Sequence, residues 1–230
     1  MARKRTAGTA SASLGRSDSG AQTSLCLPVP VLGEPEAAAH QRGLRFVAGI
    51  DEAGRGPLAG PVVAACVVLP RDAALVGLND SKQLTAQTRA RLDVEIRACA
   101  VAFAIVAVGP ERIDEINILA ATKEAMCQAL AEVCTQVGVE LVLIDGNQRI
   151  NTEVAQRTLV GGDALSLNIA AASVLAKVAR DAGMVALHAR YPQYGFDKHK
   201  GYPTAEHYAA LRAHGPTPVH RRTFRGVVTP

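Results

Sequence analysis

From Leu44 onward the chain alternates continuous apolar runs with amphipathic stretches, and the two patterns predict different elements. The runs "LRFVAGID", "PVVAACVVLP" and "VAFAIVAVGP" are bounded by Gly or Pro and read as strands buried on both faces. Between the second and third, "TAQTRARLDVEIRACA" sets Leu92, Ile96 and Cys99 on one face, which predicts a helix. Pro110 suits the first turn of a long helix in which Met126, Leu130, Val133 and Val137 recur at helical spacing until Gly138 stops it. Then come a strand, "VELVLIDG", a short strand-like "RTLVGGD", a helix of small residues, "LNIAAASVLAKVARDAGMVALHARY", and a C-terminal helix, "TAEHYAALRAHG". Strands alternating with helices predict an α/β layer fold, with active residues gathered at strand ends.

Residues 1–43 differ in texture. They are rich in Ala, Gly, Ser, Thr and Pro without helical or strand period, so a disordered extension is expected there and a catalytic domain over 44–230. A transit peptide fits the Arg and Ser content but not Asp18 or the missing amphipathic period. No apolar stretch approaches the ~18–20 residues of a membrane span, and the N-terminus lacks the apolar block of a secretory signal, so a cytoplasmic protein is expected. Five cysteines without C-x-x-C spacing, mostly on apolar stretches, point to reduced core thiols and away from zinc.

The net charge of +4 is segregated. Residues 1–45 carry six Lys/Arg against three Asp/Glu, residues 46–189 twelve against sixteen, and residues 190–230 seven against two. Basic arms on an acidic body suit a polyanion held by the arms and cations held by the body, though solvated charge produces the same count.

The acids themselves are oddly placed. Asp51 and Glu52 end the first apolar run, Asp145 ends a later one, and Asp163 precedes the small-residue helix. If those strands are neighbours, four carboxylates converge, and their repulsion raises their pKa values or demands counter-charge. An all-oxygen set suits Mg²⁺ or Mn²⁺, and two such ions about 3.5–4 Å apart form the clamp used in phosphodiester hydrolysis. Asp145 in "DGN" also suits a turn and Asp163 a helix cap, but adjacent acids at the end of a buried run have no such role. Behind them, Gly54 and Gly56 let the backbone approach a phosphate or sugar closely, and Arg55 adds charge.

With these residues in place the chain resembles bacterial ribonuclease HII from about Leu44 to Phe224. The resemblance is carried by "GIDEAGRGPLAGPVV", "LNDSKQL", "IDEINIL", "LIDGN", "AAASVLAK" with "RD" after it, "YPQYGFDKHKGYPT" and "HRRTF", in that order. It implies an RNase H-like α/β fold, with a mixed five-stranded sheet flanked by helices and a helical C-terminal part. It also implies endonucleolytic cleavage of RNA in RNA–DNA hybrids, including single ribonucleotides embedded in duplex DNA. Asp51, Glu52 and Asp145 match the family's metal-binding acids and Asp163 its fourth; Asp51 is the candidate to bridge two ions. Gly54, Arg55 and Gly56 match the loop that reads the ribose 2′-OH, and Tyr202 the tyrosine that packs on the neighbouring deoxyribose. The family usually has Lys-Gly-Asp or Lys-Ala-Asp around the fourth acid, where this chain has Gly161-Gly162-Asp163.

Other residues have two readings each. Ser81 and Lys82 suit substrate phosphate or a helix start. Lys177 suits phosphate or an ion pair with Asp181 four residues on, and Ser173 suits packing or the nucleic-acid backbone. Lys198, His199 and Lys200 beside Tyr202, with Arg221, Arg222 and Arg225, form basic clusters of the kind that grip nucleic acid. His188 and His214 fit helix-surface or core positions. A divalent-metal endoribonuclease acting as a monomer is the leading expectation, with attack on the 5′ side of the ribonucleotide leaving 3′-OH and 5′-phosphate. A DNA nuclease or strand transferase on the same fold, or a non-catalytic hybrid-binding protein, explains less: the first has no use for Gly54–Gly56 with Tyr202, the second none for intact acids.

Overall fold

A computed structural model of the chain describes residues 31–79, 81 and 83–227. Its centre is a mixed sheet in the order β3-β2-β1-β4-β5, built from β1 (Val47–Ala53), β2 (Val62–Val68), β3 (Ala102–Val108), β4 (Leu141–Asp145) and β5 (Ala155–Leu159). β1, β2 and β3 pair antiparallel, whereas β4 runs parallel to β1 and β5 parallel to β4. Successive strand residues face opposite sides. In β2, therefore, Val62, Ala64, Cys66 and Val68 enter one core, while Val63, Ala65 and Val67 enter the other.

The first core is closed by the helix α4 (Ile118–Cys134) through Ala125, Met126, Ala129, Leu130 and Val133. The second is closed by α5 (Leu167–Arg190), whose Ala170, Ala171, Ala172 and Ala176 let the helix lie close on the sheet. The approach is tightest at Gly49 of β1, where a Cβ would stand 2.2 Å from the backbone carbon of Asn168. Asn168 turns that closeness into bonds: its Oδ1 accepts from Leu69 N and its Nδ2 donates to Val47 O, both at 2.9 Å. This explains the run of small residues that the sequence shows.

Three expectations are corrected. The long helix from Pro110 to Gly138 is two helices, α3 (Pro110–Ile116) and α4, which ends at Cys134. Asn117 separates them, with φ of 69° and a side chain that accepts from Leu119 N and Ala120 N, a cap that competes with helix continuation. Cys99 of α2 (Ala86–Cys99) is exposed although Leu92 and Ile96 are buried, and of the four described thiols only Cys66 is a core residue; Cys26 lies outside the described residues. Finally, within the stretch expected to be a disordered extension, Glu34–Gln41 forms a helix, α1. Pro35 sits in its first turn, Ala39 is buried, and Glu36 Oε1 accepts from Ser166 Oγ and from Asn168 N, the latter at 3.0 Å. Residues 1–30 of that stretch lie outside the described residues.

Beyond α5, the short α6 (Phe196–His199) and α7 (Ala205–His214) pack in a third core with Leu58, Ala59, Met184, Tyr194 and Leu211. That core sets the C-terminal part against the loop that leaves β1. Among the described residues no helix is long and apolar enough to cross a membrane.

Candidate active site

The parallel pairing of β1 and β4 sets Ile50 opposite Ile144, so the next residue of each strand, Asp51 and Asp145, emerges at the same sheet end. There a cavity of about 290 Å³ opens, lined by Asp51, Glu52 and Asp145 together with Gly54, Arg55 and Gly56. Ala53, Ser81, Ser173, Lys177 and Tyr202 complete its wall. The structure thus brings together eleven residues that the sequence scatters over some 150 positions. Lys82 falls outside the described residues.

Asp51 is only 5% exposed. Burial first, then the charges of Glu52 and Asp145, push its carboxyl well above the ordinary range; hydrogen bonds from Ser173 and from Glu52 N, the latter at 2.7 Å, oppose the shift. Such a group ionises readily only beside added positive charge. An all-oxygen donor set under mutual repulsion fits a hard divalent cation, which supplies that charge. Among the described residues no three His, Cys, Asp or Glu side chains meet at one coordination point, so the acids surround the cavity without forming a finished chelate.

Asp163 stands apart from the cavity wall. It is buried in a single helical turn after β5, and the turn is joined to the cavity by Gly162 N, which donates to Asp145 Oδ1 at 2.7 Å. Other wall residues are also held by neighbours. Ser81 Oγ meets Ser173 Oγ at 2.7 Å, Lys177 Nζ meets Asp181 Oδ1 at 2.8 Å, and Arg55 Nη1 meets Glu52 Oε1 at 3.2 Å. Lys177 makes the expected ion pair with Asp181 and also lines the cavity.

The loop after β1 is shaped from beneath. Gly54 has φ of 99°, and a Cβ there would stand 2.0 Å from Arg180 Nε, so only glycine fits. Gly56 faces the other way, its nearest neighbour being Tyr202 Cε1 at 3.8 Å from a built Cβ. Tyr202 is 43% exposed on the rim, with the Arg180 guanidinium 5.8 Å from its ring centre.

The basic cluster is partly reassigned. Arg221, expected at substrate phosphate, is wholly buried and donates to Gly60 O, Arg55 O and Gly54 O at 3.0, 3.0 and 2.6 Å. His199 is structural: Nε2 meets Tyr194 O at 2.6 Å and Nδ1 accepts from Gly201 N at 3.1 Å. Lys200 Nζ donates to Asp197 O, whereas Lys198, Arg222 and Arg225 are exposed. His188 pairs with Asp197 at 3.1 Å and His214 is on the surface of α7. Arg180 was missed by the sequence reading beyond its place in "RD"; its 24-residue helix of small residues disguises a buried cation as a surface one. Two further depressions adjoin the cavity. A groove of about 610 Å³ holds Arg89, Lys177, Lys198, Lys200 and Tyr202, and a smaller one holds Lys123, Asn147 and Gln148 beside Asp145.

Comparison with known proteins identifies the family and the fold. A family model described as Ribonuclease HII matches residues 48–227. A Ribonuclease HII of Dechloromonas aromatica is 55% identical over 179 residues, 78% of this chain and 90% of that one. Among solved structures, the ribonuclease H2 of Pyrococcus horikoshii OT3 superposes with a TM-score of 0.67 at 27% identity, covering 79% of this chain and 95% of the other. Bst-RNase HIII in complex with Mn²⁺ shares the fold, with a TM-score of 0.65 at 22% identity over 83% of this chain and 70% of that one.

Proposed function

Because the chain belongs to the ribonuclease HII family, we propose that its cleft hydrolyses the RNA strand of RNA–DNA hybrids, including single ribonucleotides embedded in duplex DNA. The observation that carries the reading is the shared cavity: carboxylates at the ends of β1 and β4 form one wall, and the Gly54–Gly56 loop with Tyr202 forms the other. Acids alone would serve any phosphodiester. The loop and tyrosine beside them give a reason to act at ribose.

In this reading Asp51, Glu52 and Asp145, with Asp163 behind Gly162, hold Mg²⁺ or Mn²⁺. Two such ions, when bound, would activate water and stabilise the leaving 3′ oxygen, giving 3′-OH and 5′-phosphate ends. The protein's own groups do the rest. Ser173 orients the Asp51 carboxylate, and Lys177 and Ser81 face the phosphate path on the cavity wall. Backbone N–H groups of the loop meet the 2′-OH, and the exposed face of Tyr202 packs on the adjoining deoxyribose. One chain carries every group named, which supports a monomer acting where its nucleic-acid substrate is, in the cytoplasm.

The test is a labelled DNA duplex with one ribonucleotide, incubated with and without Mg²⁺ or Mn²⁺. A single metal-dependent cut on the 5′ side of the ribonucleotide is expected. Equal cutting of an all-DNA duplex, or none of either, overturns the reading.

A further inference from the structure

Arg180 and Arg221 are buried to 1% and 0% exposure, and among the described residues neither forms an ion pair. Burying one unpaired cation is costly, and two close together cost more. Burial, followed by the charge of Arg180, depresses Arg221 to about 9. Apolar residues of similar volume would hold a core better, so stability does not explain the pair.

Backbone carbonyls take the place of the absent carboxylates. Arg221 donates to Gly54 O, Arg55 O and Gly60 O. Arg180 donates to Pro61 O at 3.1 Å, Ala59 O at 3.3 Å and, across the cleft wall, Lys200 O at 3.0 Å. Five carbonyls of one eight-residue loop thus turn towards two buried guanidiniums. In a trans peptide the C=O and the following N–H point in opposite directions. With Gly54 O and Arg55 O drawn inwards, the N–H groups of Arg55 and Gly56 are turned outwards, on residues that line the cavity.

We propose that Arg221 and Arg180 are positioning residues for sugar selection: they pin the carbonyls of the loop so that Arg55 N–H and Gly56 N–H meet the ribose 2′ oxygen, and Arg180, through Lys200 O, fixes the loop against Tyr202. This rests on the reading of the loop as the sugar check. The geometry demands arginine, because a guanidinium offers five donors in a planar fork, whereas a lysine ammonium is a single strongly hydrated point that cannot span three carbonyls.

The experiment compares wild type and Arg221→Lys on a duplex with one ribonucleotide and on the same duplex all in deoxyribose. Saturated rate, KM, calorimetric Mn²⁺ affinity and melting temperature are measured for each protein. The expected result is a fall of about 100-fold in saturated rate on the ribonucleotide substrate, the scale of a small misplacement at a reacting centre, with KM and Mn²⁺ affinity within about threefold. A saturated rate within about threefold of wild type overturns the proposal, as does a loss of Mn²⁺ affinity in step with rate, which marks general loosening. Should wild type itself cut both duplexes alike, the sugar-check reading has failed independently of Arg221. If Arg221→Lys does not fold, Arg180→Lys is held to the same outcomes.

Discussion

The backbone N–H of Gly162 donates to Asp145 Oδ1 at 2.7 Å, tying the end of β4 to the turn that carries Asp163. A Cβ at position 162 would stand 2.6 Å from Ile169 Cδ1, 3.1 Å from Leu159 Cβ and 3.3 Å from Asp145 Oδ1. Gly162→Val, larger than the Gly or Ala the family carries before its fourth acid, should therefore destabilise by about 1–3 kcal/mol, as overpacking does, and displace both acids, lowering the rate more than KM. Gly161→Asn is the control, because nothing lies within 4 Å of that position and Asn tolerates its φ of 66°. Melting curves and saturated rates of the two variants check the contrast; equal effects refute it.

Asp51→Asn should abolish cleavage, by at least ~100-fold, while leaving binding to hybrid largely intact. The same change removes a buried acid whose ionisation burial, Glu52 and Asp145 all oppose. The metal-free variant should accordingly melt a few degrees higher than metal-free wild type, about 2–4 °C for ~1 kcal/mol at this size. Thermal melting in chelator reads the second effect, and a lower melting temperature would contradict the electrostatic account.

Tyr202→Ala removes a ring that is nearly half exposed. Stability should change little, whereas the saturated rate on a single embedded ribonucleotide should fall towards ~100-fold through displacement of the sugar. If the saturated rate is untouched and only binding weakens, the tyrosine is a general platform for nucleic acid.

Acid should destabilise the C-terminal part through two histidines. His220 Nδ1 accepts from Thr217 N at 3.0 Å, which leaves its Nε2–H to donate to His207 Nε2 at 3.1 Å and His207 Nδ1–H to donate to Tyr202 O at 3.0 Å. Both rings are neutral in this chain of bonds, and a second proton on either would break a bond already made, that from Thr217 N or that between the rings. Burial, then the charge of His207, lowers His220 to about 4, and burial lowers His207 as well. Folded values below the unfolded ~6.5 mean that this stability is complete above pH 6.5 and is lost as pH falls towards 4. For His220 the loss is roughly 3 kcal/mol. Melting temperature against pH for wild type and His220→Gln tests it: the variant should show the shallower slope over that window.

What was legible in the sequence was mostly local. An apolar run ending in "IDEAG" or "LIDG" is a strand with an acid at its end, and the parallel neighbours β1 and β4 put those two acids together. The small residues of α5 were legible as a helix, and the close approach they permit at Gly49 came only with the structure. What was not legible depends on distant partners. Arg221 sits in a polar C-terminal segment and reads as a phosphate contact, because the carbonyls that accept its bonds lie some 160 residues earlier. Glu36 likewise gave no hint of its place, since Ser166 and Asn168 come more than 120 residues later. Asn117 was the reverse case, a local signal overlooked: an asparagine inside a helical pattern was free to cap the following turn, and it does.

The latch of Arg221 on the loop after β1 also sets an order on the life of the molecule. Translation delivers Asp51 and Glu52 early and Asp145 and Asp163 midway, yet the anchor of Gly54 and Arg55 is the guanidinium at position 221. A chain emerging from the ribosome therefore holds all four acids well before it holds the part that orients the loop beside them. On the proposed reading of the loop, nascent and C-terminally clipped chains carry the four acids before anything holds Gly54 and Arg55, and sugar selectivity is the last property this sequence acquires.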